Sequence, residues 1–139
     1  MQSGVGGPFG AVVVRHGSIV GEGSNTVTSS NDPTAHAEVE AIRDACRRLG
    51  TFSLNDCELY TSCEPCPMCL AATYWARIRA IYFGNTRADA AAAQFDDELL
   101  YHEMGTPHEK RLVPIQPLLH DEALTVFTEW MAKRDKIPY

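Results

Sequence analysis

Positions 9–15 read Phe9-Gly10-Ala11-Val12-Val13-Val14-Arg15, and after His16-Gly17 come Ser18-Ile19-Val20, the pattern of two strands joined by a tight turn. Residues 26–31 are polar and read as a loop. Asp32-Pro33 then predicts a helix start, with an acceptor at the cap and a proline where no N–H is needed. Val39, Ile42, Cys46 and Leu49 recur at three- and four-residue steps with Arg43, Asp44, Arg47 and Arg48 between them, so one stripe is buried and the rest is wet. Gly50 ends that helix. Residues 57–61 and 78–83 predict further strands, with a helix over 65–77 between them. Beyond Gly84 the pattern predicts a helix over 88–103, a short edge strand over 112–115, and a final helix over 121–133 with Leu124, Phe127, Trp130 and Met131 as its apolar face. Strands alternating with helices imply a crossover-connected sheet covered on both sides.

The 139 residues fit one compact domain, with about 150 residues per domain as the usual expectation. An apolar share of 45% with 22% charged residues excludes a disordered, collagen-like or coiled-coil chain. No apolar run approaches the ~20 residues of a membrane span, and the start has no basic region or long apolar stretch of a signal, so a cytoplasmic protein is expected. Net charge is −6, which offers a phosphate backbone no general attraction and argues against a nucleic-acid binder. Cys46, Cys57, Cys63, Cys66 and Cys69 are odd in number, and three of them fall within seven positions. That spacing suits metal binding or redox chemistry in a reducing compartment better than a disulfide framework.

Cys66 and Cys69 stand three apart at the predicted start of a helix, which brings both sulfurs to one face where the positive helix end favours thiolates. Zinc prefers four tetrahedral ligands at about 2.0–2.3 Å, so two thiolates need partners from elsewhere. His36 also sits near a helix start and is the best third ligand. Glu38, two positions on, can touch a zinc-bound water without occupying the metal. On a regular helix the two side chains would point about 200° apart, so the pair must lie in an irregular entry turn. Three protein ligands leave a position open for water, which then ionises near pH ~7. The competing reading is a closed structural zinc completed by Cys63, with Glu38 only favouring the helix dipole.

The paired motifs His36-Ala37-Glu38 and Pro65-Cys66-Pro67-Met68-Cys69 match the signature of zinc-dependent base deaminases. With Gly6-Gly7-Pro8-Phe9-Gly10-Ala11, Asp32-Pro33-Thr34-Ala35, Thr61-Ser62-Cys63-Glu64 and Phe95-Asp96-Asp97, the chain resembles the bacterial guanine deaminases of the cytidine-deaminase superfamily. The resemblance implies an α/β fold, a three-layer α-β-α arrangement with a central mixed sheet of about five strands flanked by helices. It implies a single domain over residues 1–139, with 134–139 as a tail covering the site. It further implies Zn2+ as cofactor and hydrolysis of guanine to xanthine and ammonia, with Glu38 taking a proton from the attacking water and delivering it to the ring nitrogen and toward the departing amine. Asp97 matches a second acidic group near that amine, and Asn25 a base-contacting amide. Ala37, Phe9 and Trp75 match pocket positions, and Tyr139 the closing residue, in a segment that in some relatives crosses to a neighbouring subunit. A homodimer acting on a small-molecule purine, with no membrane partner, is the corresponding expectation.

From composition alone each of these has a plainer reading: Asp96 and Asp97 as a solvated acidic face, Asn25 as a turn residue, Phe9 and Trp75 as core, Tyr139 as a frayed end. Guanosine or another aminopurine, a tRNA adenosine deaminase activity, and a zinc-stabilised interaction domain stand as alternatives. Family members usually carry a helix ahead of the Gly6-Gly7-Pro8-Phe9-Gly10 turn, whereas only a few residues precede it here.

Overall fold

The computed structural model describes residues 6–95 and 97–139, so Asp96 lies outside the described residues. Its chain forms two units, residues up to Glu98 and Leu99–Tyr139. In the first, β1 (Gly10–Arg15) and β2 (Ser18–Ser24) make the expected hairpin, turning through His16 and Gly17, both at positive φ. β3 (Cys57–Cys63) pairs antiparallel with β1 and parallel with β4 (Ala80–Asn85), giving a mixed sheet in the order β2-β1-β3-β4. The sheet has four strands where about five were expected. Residues 112–115 form no strand: Pro114 has no N–H for a ladder, and the Leu112 N–H donates instead to Glu103 Oε2 at 2.8 Å.

The segment 26–31 contains a short helix, α1 (Val27–Ser30), ended by Asn31 in the left-handed region. The next helix does not begin at Asp32-Pro33. There Asp32 Oδ1 accepts from both the backbone N–H and the hydroxyl of Thr34, and Ala35 N–H donates to the Asp32 carbonyl, closing a turn instead. α2 (Ala37–Leu49) follows, capped by His36 with extended backbone and ended by Gly50 at φ 65°. α3 (Pro67–Trp75) is the crossover between β3 and β4, with Cys66 as its N-cap and Pro67 in its first turn. The expected helix over 88–103 is two: α4 (Arg87–Ala92), started by a reciprocal Thr86–Asp89 capping box, and α5 (Glu98–Gly105). Gln94, in the left-handed region, marks the break.

Val13, Leu54, Cys57 and Leu59 are fully buried, and Ala11, Ala37, Ala41, Ala45 and Ala76 join them in one core. The small residues have a geometric use. A Cβ added to Gly21 would lie 2.5 Å from the Ala41 carbonyl oxygen and 2.6 Å from Ala45 Cβ, and one added to Gly23 would run into the Ala37 carbonyl and the Ala41 amide. Glycine opposite alanine thus lets α2 rest directly on β2. Glu22 N–H adds a tie to Asp44 Oδ2 of α2 at 3.1 Å. Gly23→Ala therefore pushes the first turn of α2 off the sheet, and since overpacking costs about 1–3 kcal/mol, a calorimetric scan should show a lower melting temperature together with weakened catalysis. Gly105→Ala, where an added Cβ meets nothing within 4 Å, serves as the neutral control.

The second unit contains most of α5, a 3-10 turn at His108–Lys110 and α6 (His120–Ala132). None of its residues is buried, and the apolar stripe Leu124, Phe127, Trp130 and Met131 on α6 is exposed. No helix among the described residues is long and apolar enough to cross a membrane.

Candidate metal centre and active site

Two helix N-termini carry the chemistry. His36 stands just ahead of α2 as its N-cap, so its backbone is extended and its side chain is released from the helical period that Glu38, the second helical residue, obeys. Cys66 caps α3 in the same way, and Cys69 is the third residue of that helix. His36 Nδ1 lies 3.6 Å from Cys66 Sγ and 3.5 Å from Cys69 Sγ, and the three ligand atoms all fall within 4.8 Å of one another.

Tetrahedral zinc with ordinary N and S bond lengths separates a nitrogen from a sulfur by roughly 3.6 Å, so both N–S spacings suit such an ion. The donor chemistry fits too. Without a cation the two thiols compete for one charge: Cys66 is pushed down by the hydrogen bond from Cys69 and by His36, while Cys69 is pushed up by its bond to Cys66 and by burial. A divalent cation resolves that competition because it takes both as thiolates. His36 is raised, chiefly by its hydrogen bond to Cys66.

Cys63 is not part of this group. It is buried at the end of β3, and its thiol points to the Thr86 carbonyl at 3.7 Å. Among the described residues the cluster thus offers three protein donors, as an open site requires.

Glu38 is 6% exposed, and its carboxyl lies against the centre: Cys69 Sγ approaches Oε2 at 3.5 Å and the Thr61 hydroxyl donates to Oε1 at 3.3 Å. Burial raises it above the usual carboxylate range. A cavity of about 300 Å3 opens onto this group, lined by Phe9, Asn25, Ala37, Glu64, Phe95 and Asp97 among others, the size at which small-ligand sites begin. Asn25 is held rigidly. Its Oδ1 accepts from the N–H of Gly7 at 3.2 Å and of Val27 at 3.3 Å, so the amide NH2 is the end left for a ligand. Phe9 meets Phe95 edge to face at 4.8 Å, an aromatic wall beside the metal ligands.

Of the residues expected in the site, His36, Glu38, Cys66, Cys69, Phe9, Asn25, Ala37 and Asp97 gather here. Trp75 does not. It is 66% exposed and borders a separate surface depression with Tyr74 and Arg77, because it ends α3 while the cysteines begin it, roughly 9 Å along the axis. Tyr139 ends the second unit and is exposed. Two contributors carry weaker sequence signals. Phe95 opens the Phe95-Asp96-Asp97 motif as the aromatic after an alanine run, and Thr61 opens Thr61-Ser62-Cys63-Glu64 as a polar residue at an inward position of β3, in step with Cys57, Leu59 and Cys63, but the motifs assign neither a role.

Residues 3–85 match the cytidine and deoxycytidylate deaminase zinc-binding region. This chain belongs to that deaminase family. Its similarity to the guanine deaminase of Bacillus subtilis is 52% identity over 139 residues, all of this chain and 89% of that protein. A solved structure of the Bacillus subtilis guanine deaminase superposes with a TM-score of 0.96 at 53% identity, covering 99% of this chain and 88% of that one. A tRNA-specific adenosine deaminase of Aquifex aeolicus is 49% identical over 76 residues, 55% of this chain and 50% of that protein. Zinc is the cofactor of this deaminase family, and the His36, Cys66 and Cys69 donor set is suited to it.

Proposed function

We propose that this protein is a zinc-dependent guanine deaminase, converting guanine and water to xanthine and ammonia. The observation that carries the reading is a three-donor thiolate–imidazole cluster with a buried carboxyl beside it, both facing a pocket with an outward-turned amide. Similarity to guanine deaminase extends over the whole chain, whereas similarity to the tRNA deaminase covers 55% of it, and a net charge of −6 disfavours an RNA substrate.

His36, Cys66 and Cys69 would hold the ion. When bound, zinc supplies a Lewis acid that brings the ionisation of water to near pH ~7. Glu38 takes a proton from the attacking water, passes it to the ring nitrogen next to C2, and carries the second proton to the leaving amine. The water's oxygen stays on C2 and the C2–N bond breaks to release ammonia. Burial raises this carboxyl, which favours its holding a proton between the two transfers. The Asn25 amide donates to a purine acceptor, the Phe9–Phe95 wall packs against the base, and Asp97 accepts from the amino group that departs.

The same reading assigns Tyr139 as a cover and makes the assembly a homodimer, for which the exposed apolar stripe of α6 is the support. A cytoplasmic location accords with five free cysteines. The deciding assay follows ammonia release on adding guanine, adenine, guanosine or an adenosine-bearing tRNA stem-loop to the zinc-loaded protein. Guanine turnover is the expected result, at least about 100-fold above the others in kcat/KM. Turnover of the stem-loop with guanine inert would overturn the reading.

A further inference from the structure

We propose that Thr61 is a positioning residue for the proton carrier: its hydroxyl holds one oxygen of Glu38 so that the other faces the reaction. Thr61 is 8% exposed on the inward side of β3, where the ladder sets it opposite Ala11 of β1 and Phe83 of β4. Its Oγ1 lies 3.3 Å from Glu38 Oε1, and the Gly10 carbonyl, its other acceptor in range, is at 3.5 Å. Glu38 Oε2 is the oxygen turned to the cysteine side, 3.5 Å from Cys69 Sγ. The two carboxyl oxygens thus have separate surroundings. Thr61 is absent from the pocket lining, so it acts through Glu38 and not on substrate.

Once Cys69 serves as a metal thiolate it has no hydrogen to donate, and among the described residues Thr61 is then the side-chain donor to this buried carboxyl. With the transferred proton on Oε2, Oε1 is an acceptor both before and after each transfer. The Thr61 hydrogen bond therefore survives the cycle and keeps the carboxyl plane from turning as the proton arrives and leaves. That matters because proton transfer demands donor and acceptor in reach at the moment of reaction, and a misplacement near 1 Å can cost about 100-fold.

The inference rests on Glu38 as proton carrier, and its test compares Thr61→Ser with Thr61→Ala, which both delete the methyl and differ only in the hydroxyl, alongside the isosteric Thr61→Val. The Val and Ala variants should lose about 10- to 100-fold in kcat with KM changed less than about twofold, while Ser stays within about threefold of wild type. Zinc content should be unchanged in all of them. In a Glu38→Gln background, Thr61→Val should add less than about twofold, measured under single-turnover conditions. Equal kcat for Ser and Ala overturns the proposal, as does an additive loss in the Glu38→Gln background. Should Val fail to fold, the Ser and Ala pair decides by itself. Normal turnover by Glu38→Gln instead removes the mechanism above, and this inference with it.

Discussion

Glu38→Gln lowers kcat for guanine by about 1,000- to 10,000-fold, the upper part of the range for general acid–base catalysis, because one carboxyl serves as base and then as acid. Glutamine keeps the size of the side chain, and its amide oxygen can still accept from Thr61 at the position of Oε1. What it cannot do is take a proton at neutral pH. The fold should tolerate the change: losing a negative charge in the first turn of α2 costs about 0.3–1 kcal/mol, and relief from burying a carboxylate at 6% exposure works in the opposite direction. The melting temperature should therefore move by only a few degrees, and elemental analysis should still find one zinc per chain. A kcat within about tenfold of wild type would mean that another group, Asp97 foremost, moves the proton.

Replacing either cysteine of the α3 turn separates an open centre from a closed one. Cys66→Ala or Cys69→Ala should abolish zinc retention and with it deamination, since two remaining donors leave the ion held mainly by water. Cys63→Ala should keep the metal, because that thiol is committed to the Thr86 carbonyl and lies outside the donor cluster. X-ray absorption on the loaded protein should fit two sulfurs, one nitrogen and one oxygen. Three sulfurs in the fit, or zinc loss in Cys63→Ala equal to that in Cys66→Ala, would establish a closed structural site. Chelation should lower thermal stability without unfolding the chain at room temperature. Ligand at about 1,000 times its dissociation constant contributes about 4 kcal/mol, whereas the core of Val13, Leu54 and Leu59 is built of apolar contacts and includes none of the three metal donors.

Local pattern was enough to place most elements. The valine run of β1, the three- and four-residue steps of α2, and the alternation along β3 each report burial within a few residues, so they remain legible before the chain folds. Errors fell where two local signals competed. Asp32-Pro33 has the composition of a helix start, yet Asp32 spends its oxygen on Thr34, and the helix opens at Ala37. The alanine run after Arg87 favours helix throughout, but the chain breaks at Gln94. Pro114 left residues 112–115 without a ladder.

The amino-acid order by itself determined the donor types: two cysteines one helical turn apart, a histidine, and a carboxylate two positions beyond it. Which cysteine stays out, which oxygen of Glu38 is held, and why Trp75 lies away from the pocket were decided only in three dimensions. His36 and Cys66 are 30 residues apart, and their 3.6 Å approach depends on strand register and on how closely α2 sits over Gly21 and Gly23. Periodicity records which side of an element is buried. It holds no information on the distance between two elements, and a metal site is made of such distances.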